Sequence, residues 1–85
     1  MLDKTSLFDV NEFKKAPITQ TLNEVYEALQ EKGYNPINQM VGYLISGDPG
    51  YISSYKSARS KVVALERSEI VSVLLKDYLK DKWDI

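Results

Sequence analysis

An all-α protein, a homodimeric small bundle of four to five short helices, is what this 85-residue sequence predicts. Three observations carry the prediction. Apolar residues recur at helical spacing between residues 17 and 32, the stretch after Gly33 contains both a helix start and a helix stop, and the last helical segment is apolar around most of its circumference.

Residues 1–16 come first and show neither helical nor strand periodicity: Leu7, Phe8, Val10 and Phe13 are scattered among acids and lysines. We read them as a flexible N-terminal arm ahead of a helical dimerisation domain over residues 17–85. Thr5 and Ser6 are exposed hydroxyls in that arm, and a protein kinase takes such a hydroxyl in an extended segment.

Pro17 opens the first helix, which runs to about Lys32. Ile18, Leu22, Val25, Tyr26 and Leu29 fall on one stripe, and Asn23, Glu24, Glu27, Gln30 and Glu31 take the other side. The three glutamates share a face, but with no histidine beside them they read as solvated charge rather than a metal site. Gly33 closes the helix.

The central helix follows. Asn35 is an N-cap and Pro36 fits the first helical position, where a missing N–H costs nothing. Gly47 supplies the left-handed residue past its end, and Asp48-Pro49 repeats the cap-then-proline signal. Between them Ile37, Met40, Val41, Leu44 and Ile45 are assigned to the core, with Tyr43 pointing elsewhere. Gly42 and Gly47 have the spacing of a phosphate loop, yet Asp48 stands where its lysine would be, and a carboxylate repels phosphate.

A third helix is expected from roughly Ser53 to Leu65, burying Tyr55, Ala58, Val62 and Leu65. Ser68 is assigned as the cap of the fourth, from Glu69 to about Lys80. That helix carries Ile70, Val71, Val73, Leu74, Leu75, Tyr78 and Leu79, which cover roughly 240° against the stripe of somewhat over 100° expected of a surface helix. So short a chain has little to cover the surplus, and a twofold homodimer through Ile70, Val71, Leu74, Leu75 and Tyr78 is expected. Trp83, in the tail, is read as docking on the end of the core.

Composition narrows the function. One small domain of this length has a modest core, which self-association would reinforce. The absence of cysteine and histidine removes disulfides, thiol chemistry, the usual zinc sites and the usual neutral-pH base. No catalytic residues, metal or cofactor are therefore assigned. No apolar run approaches about 18 residues and no signal-like start is present, so a cytoplasmic protein without membrane insertion is expected. The net charge of −1 is unevenly placed: residues 1–31 hold six acids against three lysines, and residues 32–62 hold Asp48 against Lys32, Lys56, Arg59 and Lys61. The cations of the third helix form a candidate partner-binding face with Arg67. A helix-turn-helix DNA-binding protein is the alternative reading. Its turn would be too long, and a pI of about 5.3 with two arginines lacks the basic excess that such domains carry, so no nucleic acid is expected.

The run EKGYNPINQMVGYLISGDPGYI, followed by SAR, LERSEI and a closing apolar helix with YL, resembles the IreB family of small bacterial regulatory phosphoproteins. Asp3-Lys4-Thr5 followed by Phe8 is similar to that family's D-x-T-x-x-F arm, whose threonine is phosphorylated by a membrane-anchored Ser/Thr kinase with an extracellular cell-wall-sensing region. The resemblance implies phosphorylation at Thr5, with Ser6 as fallback. It also implies a non-enzymatic helical homodimer that restrains peptidoglycan synthesis and affects β-lactam tolerance. A Clp protease system and a peptidoglycan precursor enzyme are the partners it suggests. The family's third helix usually carries more arginines. Here Arg59 and Arg67 match, with Lys56 and Lys61 in partial compensation, and these four are the residues a phosphorylated arm or a partner would meet.

Overall fold

The computed structural model of the chain describes residues 12–84. Four α-helices follow one another: α1 (Glu12–Glu31), α2 (Pro36–Ser46), α3 (Ala58–Val63) and α4 (Arg67–Leu79). Two 3-10 turns, Pro49–Tyr51 and Tyr55–Ser57, join α2 to α3. The described residues contain no strand, in keeping with the all-α expectation.

The long helix α1 is the base on which the others pack. Ile18, Leu22, Val25 and Leu29 are buried as their spacing predicts, together with Ala28, while Tyr26 at the edge of the stripe stays exposed. Against this stripe lie Tyr43 of α2, Ile52 of the connection, Ala58 and Val62 of α3, and Ile70 and Val73 of α4. Met40, Leu44, Tyr55 and Leu65 pack around this cluster. No buried side-chain polar atom in the described residues lacks a partner.

Helix α1 begins at Glu12, five residues before the expected start, so the last part of the expected arm is helical. Pro17 therefore lies inside the helix, where it removes one i→i−4 bond. A contact from elsewhere in the chain holds this first turn: the Lys14 ammonium pairs with Glu69 of α4. No local pattern announces that contact.

Both ends of α2 follow the sequence. The Asn35 side chain accepts from the Asn38 N–H at 3.1 Å, Pro36 occupies the first turn, and Gly47 closes the helix at φ 76°. Asp48 then caps the 3-10 turn by accepting from the Gly50 N–H at 2.9 Å. Its burial differs from expectation. Tyr43 is the buried residue of α2, and Ile37, Val41 and Ile45 lie on the surface. Two stripes compete on this helix, and the one through Met40, Tyr43 and Leu44 faces the core because an aromatic ring there fills more of the space over α1.

The third segment is shorter than expected. Lys56 and Ser57 are consecutive non-glycine residues at φ 50° and 62°, so the chain turns left-handed just before α3. Helix α4 starts at Arg67, with Glu66 as its N-cap and no side-chain cap bond, so Ser68 lies in the first turn rather than capping it. Trp83 is exposed rather than docked.

Candidate interaction surfaces

The four cations expected to form one partner-binding face are each engaged locally. Lys56 lies 2.8 Å from Glu31, which also accepts from the Tyr55 hydroxyl at 2.7 Å. Lys61 pairs with Glu24 at 3.3 Å. Arg59 donates through Nε to the Ile52 carbonyl at 2.8 Å, and Arg67 donates through Nη1 to the Leu44 carbonyl at 3.1 Å. The first two cations face the acidic side of α1, and the two arginines close loop and helix ends.

Charge on this side is therefore largely compensated. The Lys56 ammonium first, and the Tyr55 hydroxyl after it, hold the Glu31 carboxyl below its ordinary range. Glu31 in turn raises both Lys56 and Tyr55 above theirs. The Gln20 amide, then Lys61, lower Glu24. Lys32 and Lys56 stand 5.1 and 5.7 Å from the centre of the Tyr55 ring, close enough for cation–π attraction. Glu24, Glu27, Glu31, Lys56 and Lys61 line one shallow recess of about 160 Å³. The glutamates read as a solvated face are thus the counter-ions of the cations read as a partner site. An incoming anion must compete with them. Sequence order hid this because 25 residues separate Glu31 from Lys56; the opposite charge on two amphipathic segments was the available signal.

The apolar surplus of α4 is uncovered. Val71, Leu74, Leu75 and Tyr78 follow i, i+3, i+4, i+7 spacing and are 40, 44, 55 and 63% exposed, whereas Ile70 is fully buried in the chain's own core. Ile70 therefore does not belong with the expected dimer contacts: it sits about 100° around the helix from Val71, on the side facing α1. Lys82 marks the far end of the stripe, donating to the Tyr78 hydroxyl at 2.7 Å.

A second apolar surface on α2 has no counterpart in the sequence reading. Ile37, Val41 and Ile45 repeat every four residues and are exposed, with Ile45 at 79%. Leu44 of α2 and Val71 of α4 line a cleft of about 570 Å³ with Glu66, Arg67 and Ser68. The usable signal was in the α2 sequence itself, whose apolar residues exceed one face.

Thr5 and Ser6 lie outside the described residues. Among the described residues no group of three or more metal-ligating side chains is gathered, and no helix is long and apolar enough to cross a membrane.

A family model for the IreB regulatory phosphoprotein matches residues 3–80, a span that takes in all four helices and Thr5. The capped α2, the turn that begins at Asp48-Pro49 and the apolar α4 all lie within it, and on this match the chain belongs to the IreB family of regulatory phosphoproteins.

Proposed function

We propose that this chain is a non-enzymatic cytoplasmic regulator whose Thr5 is phosphorylated by a membrane-anchored Ser/Thr kinase, and that it restrains peptidoglycan synthesis, and with it β-lactam tolerance, through protein contacts. The observation that carries the reading is the family match beginning at residue 3, which includes the Asp3-Lys4-Thr5 and Phe8 pattern. A homodimer formed through Val71, Leu74, Leu75 and Tyr78 is part of the proposal, supported by the apolar stripe that α4 leaves uncovered. A Clp protease system and an enzyme of peptidoglycan precursor synthesis are the proposed downstream partners.

Physically, a phosphate on Thr5 adds about −1.5 to −2 charges and three strong acceptor oxygens. Lys56 and Lys61 are already paired with Glu31 and Glu24, so phosphate must displace a carboxylate to reach them. Such an exchange is favourable only if phosphate offers more than each glutamate does. A doubly charged group meets that condition more readily than an unmodified arm.

The test is phosphorylation of the purified protein by its cognate kinase, with the phosphate located by mass spectrometry. Loss of incorporation in Thr5→Ala, and retention in Ser6→Ala, is the expected result. Undiminished incorporation in Thr5→Ala overturns the assignment.

A further inference from the structure

The spacing of Tyr55, Ala58, Val62 and Leu65 predicts one helix starting near Ser53, and a cap for that longer helix is in place. The Ser53 hydroxyl oxygen accepts from the Tyr55 N–H at 3.1 Å, the bond that an N-cap side chain makes. Yet α3 starts only at Ala58, and Ser57, its N-cap, makes no side-chain cap bond. Between the Ser53 cap and α3 lie Lys56 and Ser57 at φ 50° and 62°, a conformation that crowds Cβ against the following carbonyl in any residue but glycine. Few backbone bonds separate this turn from a helix. The Ser53 carbonyl accepts from the Arg59 N–H at 3.0 Å, and the Ser54 and Tyr55 carbonyls accept from the Ser57 and Ala58 N–H groups. In a right-handed helix the same three carbonyls take the N–H groups of Ser57, Ala58 and Arg59 in order. Three donors and three acceptors exchange partners, and none is lost.

The contact with α1 is what the two arrangements do not share. In the left-handed turn the Lys56 ammonium lies 2.8 Å from Glu31, and the Tyr55 hydroxyl donates to the same carboxylate at 2.7 Å. In a continuous helix Lys56 would stand two residues before Ala58, about 160° around the axis from it. Ala58 is fully buried in the core that α1 carries, so Lys56 would face away from α1 and leave Glu31. We infer that the Lys56–Ser57 turn is a two-state element: the Glu31 clasp selects the left-handed form, and breaking the clasp lets residues 54–57 join α3 as one right-handed helix capped by Ser53. A ligand shifts such an equilibrium only through a contact that differs between the states, and the Glu31–Lys56 pair is that contact. An anionic group that draws Lys56 off Glu31 therefore starts α3 at Ser54 and turns Lys56 outward. The element is independent of the proposed phosphorylation.

Backbone NMR of the full-length chain tests this. In Glu31→Ala the ratio of helical to left-handed form should rise about five-fold, as the loss of an exposed ion pair with its hydrogen bond allows. It is read from the Cα shifts and HN–Hα couplings of Lys56 and Ser57, from relaxation dispersion at Tyr55 to Ala58, and from nuclear Overhauser contacts between the Lys56 Hα and the Arg59 and Ser60 amides. Lys56→Met, which breaks the pair from its other side, should act in the same direction. Adding Ser57→Gly to Glu31→Ala should return the segment to the left-handed form, which glycine adopts without strain. Left-handed couplings and dispersion unchanged in both Glu31→Ala and Lys56→Met overturn the inference. Coil-like averaging at residues 54–57 without the helical contacts overturns it as well, because a clasp that merely pins a loose loop gives that result.

Discussion

Arg67, in the first turn of α4, donates to the Leu44 carbonyl at 3.1 Å, and its guanidinium lies where a side chain on Gly47 would stand. A cation at the end of a helix neutralises carbonyls that have no partner of their own and interacts favourably with the helix dipole. Arg67 thus ties the end of α2 to the start of α4. Replacing it with alanine should lower stability by about 1 kcal/mol, the upper end of the range for an exposed cation at a helix terminus and below that for a buried charged hydrogen bond because the site is open to water. Urea unfolding followed by circular dichroism measures the loss. If Arg67 serves only an external partner, the midpoint will not move.

Gly42 and Tyr51 make a sharper test. A Cβ built on Gly42 would lie 2.5 Å from Tyr51 Cδ1 and 3.0 Å from two further ring carbons, so the ring must leave its place. Gly to Ala inside a helix gains about 1 kcal/mol in propensity, and pushing the half-exposed Tyr51 ring off the α2 backbone costs about 1 kcal/mol or more, the lower end of the range for overpacking. Gly42→Ala should therefore be neutral to destabilising in the native chain. In a Tyr51→Ala background the clash is gone, and the same change should stabilise by up to about 1 kcal/mol. A double-mutant cycle of unfolding free energies reads this reversal of sign directly.

Ser57 sits at φ 62°, next to Lys56 at 50°. A left-handed conformation costs a non-glycine residue about 1–2 kcal/mol, and glycine brings back roughly 0.5–1 kcal/mol of unfolded-chain entropy. Ser57→Gly should therefore stabilise by about 0.5–1 kcal/mol, and Ser57→Val should destabilise by more than that. Thermal unfolding of the two variants in parallel decides the matter.

Much of α2 was legible because its end signals are local. Asn35, Pro36, Gly47 and Asp48 act on backbone groups within four residues of themselves, and no distant contact can override them. What was not legible depended on contacts far apart in sequence. The first turn of α1 is held by Glu69, 55 residues on from Lys14. The left-handed turn before α3 is flanked by the contacts that Tyr55 and Lys56 make with Glu31. Tyr43 was assigned away from the core because periodicity ranks faces by count, whereas packing ranks them by the volume that fits over α1. The candidate surfaces divide in the same way. The excess of apolar residues on α4 can be counted from sequence, but the neutralisation of Lys56 and Lys61 needs α1 and α3 side by side.

The uncovered stripe of α4 separates association from folding. Leu74 and Leu75 are exposed, whereas Ile70 and Val73 are buried. Leu75→Glu should abolish the proposed dimer in sedimentation velocity at micromolar concentration and leave the helical circular dichroism unchanged. Ile70→Ala should instead lower stability by about 2–5 kcal/mol, as removal of core methylenes does. Should Leu75→Glu leave the sedimentation coefficient of the native protein untouched, the proposed interface is wrong.

The clasp of Glu31 with Tyr55 and Lys56 sets how stability should vary with pH. Glu31 is held below its ordinary 4.5 by Lys56 first and Tyr55 second, so its contribution is complete above that value and is lost as pH falls through the lower folded-state pKa. Lys56 is raised above 10.5 and Tyr55 above 10.0, chiefly by Glu31. Their contributions are complete below those values and are lost as pH rises through the raised ones. Between these limits the clasp is insensitive to pH. Glu31→Gln keeps an acceptor for the Tyr55 hydroxyl but removes the charge, so the gap in unfolding midpoint between native and variant protein should be constant from about pH 6 to 9 and close at both extremes. Urea titrations across that range measure the gap. A gap that widens in acid would mean that Glu31 is stabilised in its protonated form, and that Lys56 is not its partner in solution.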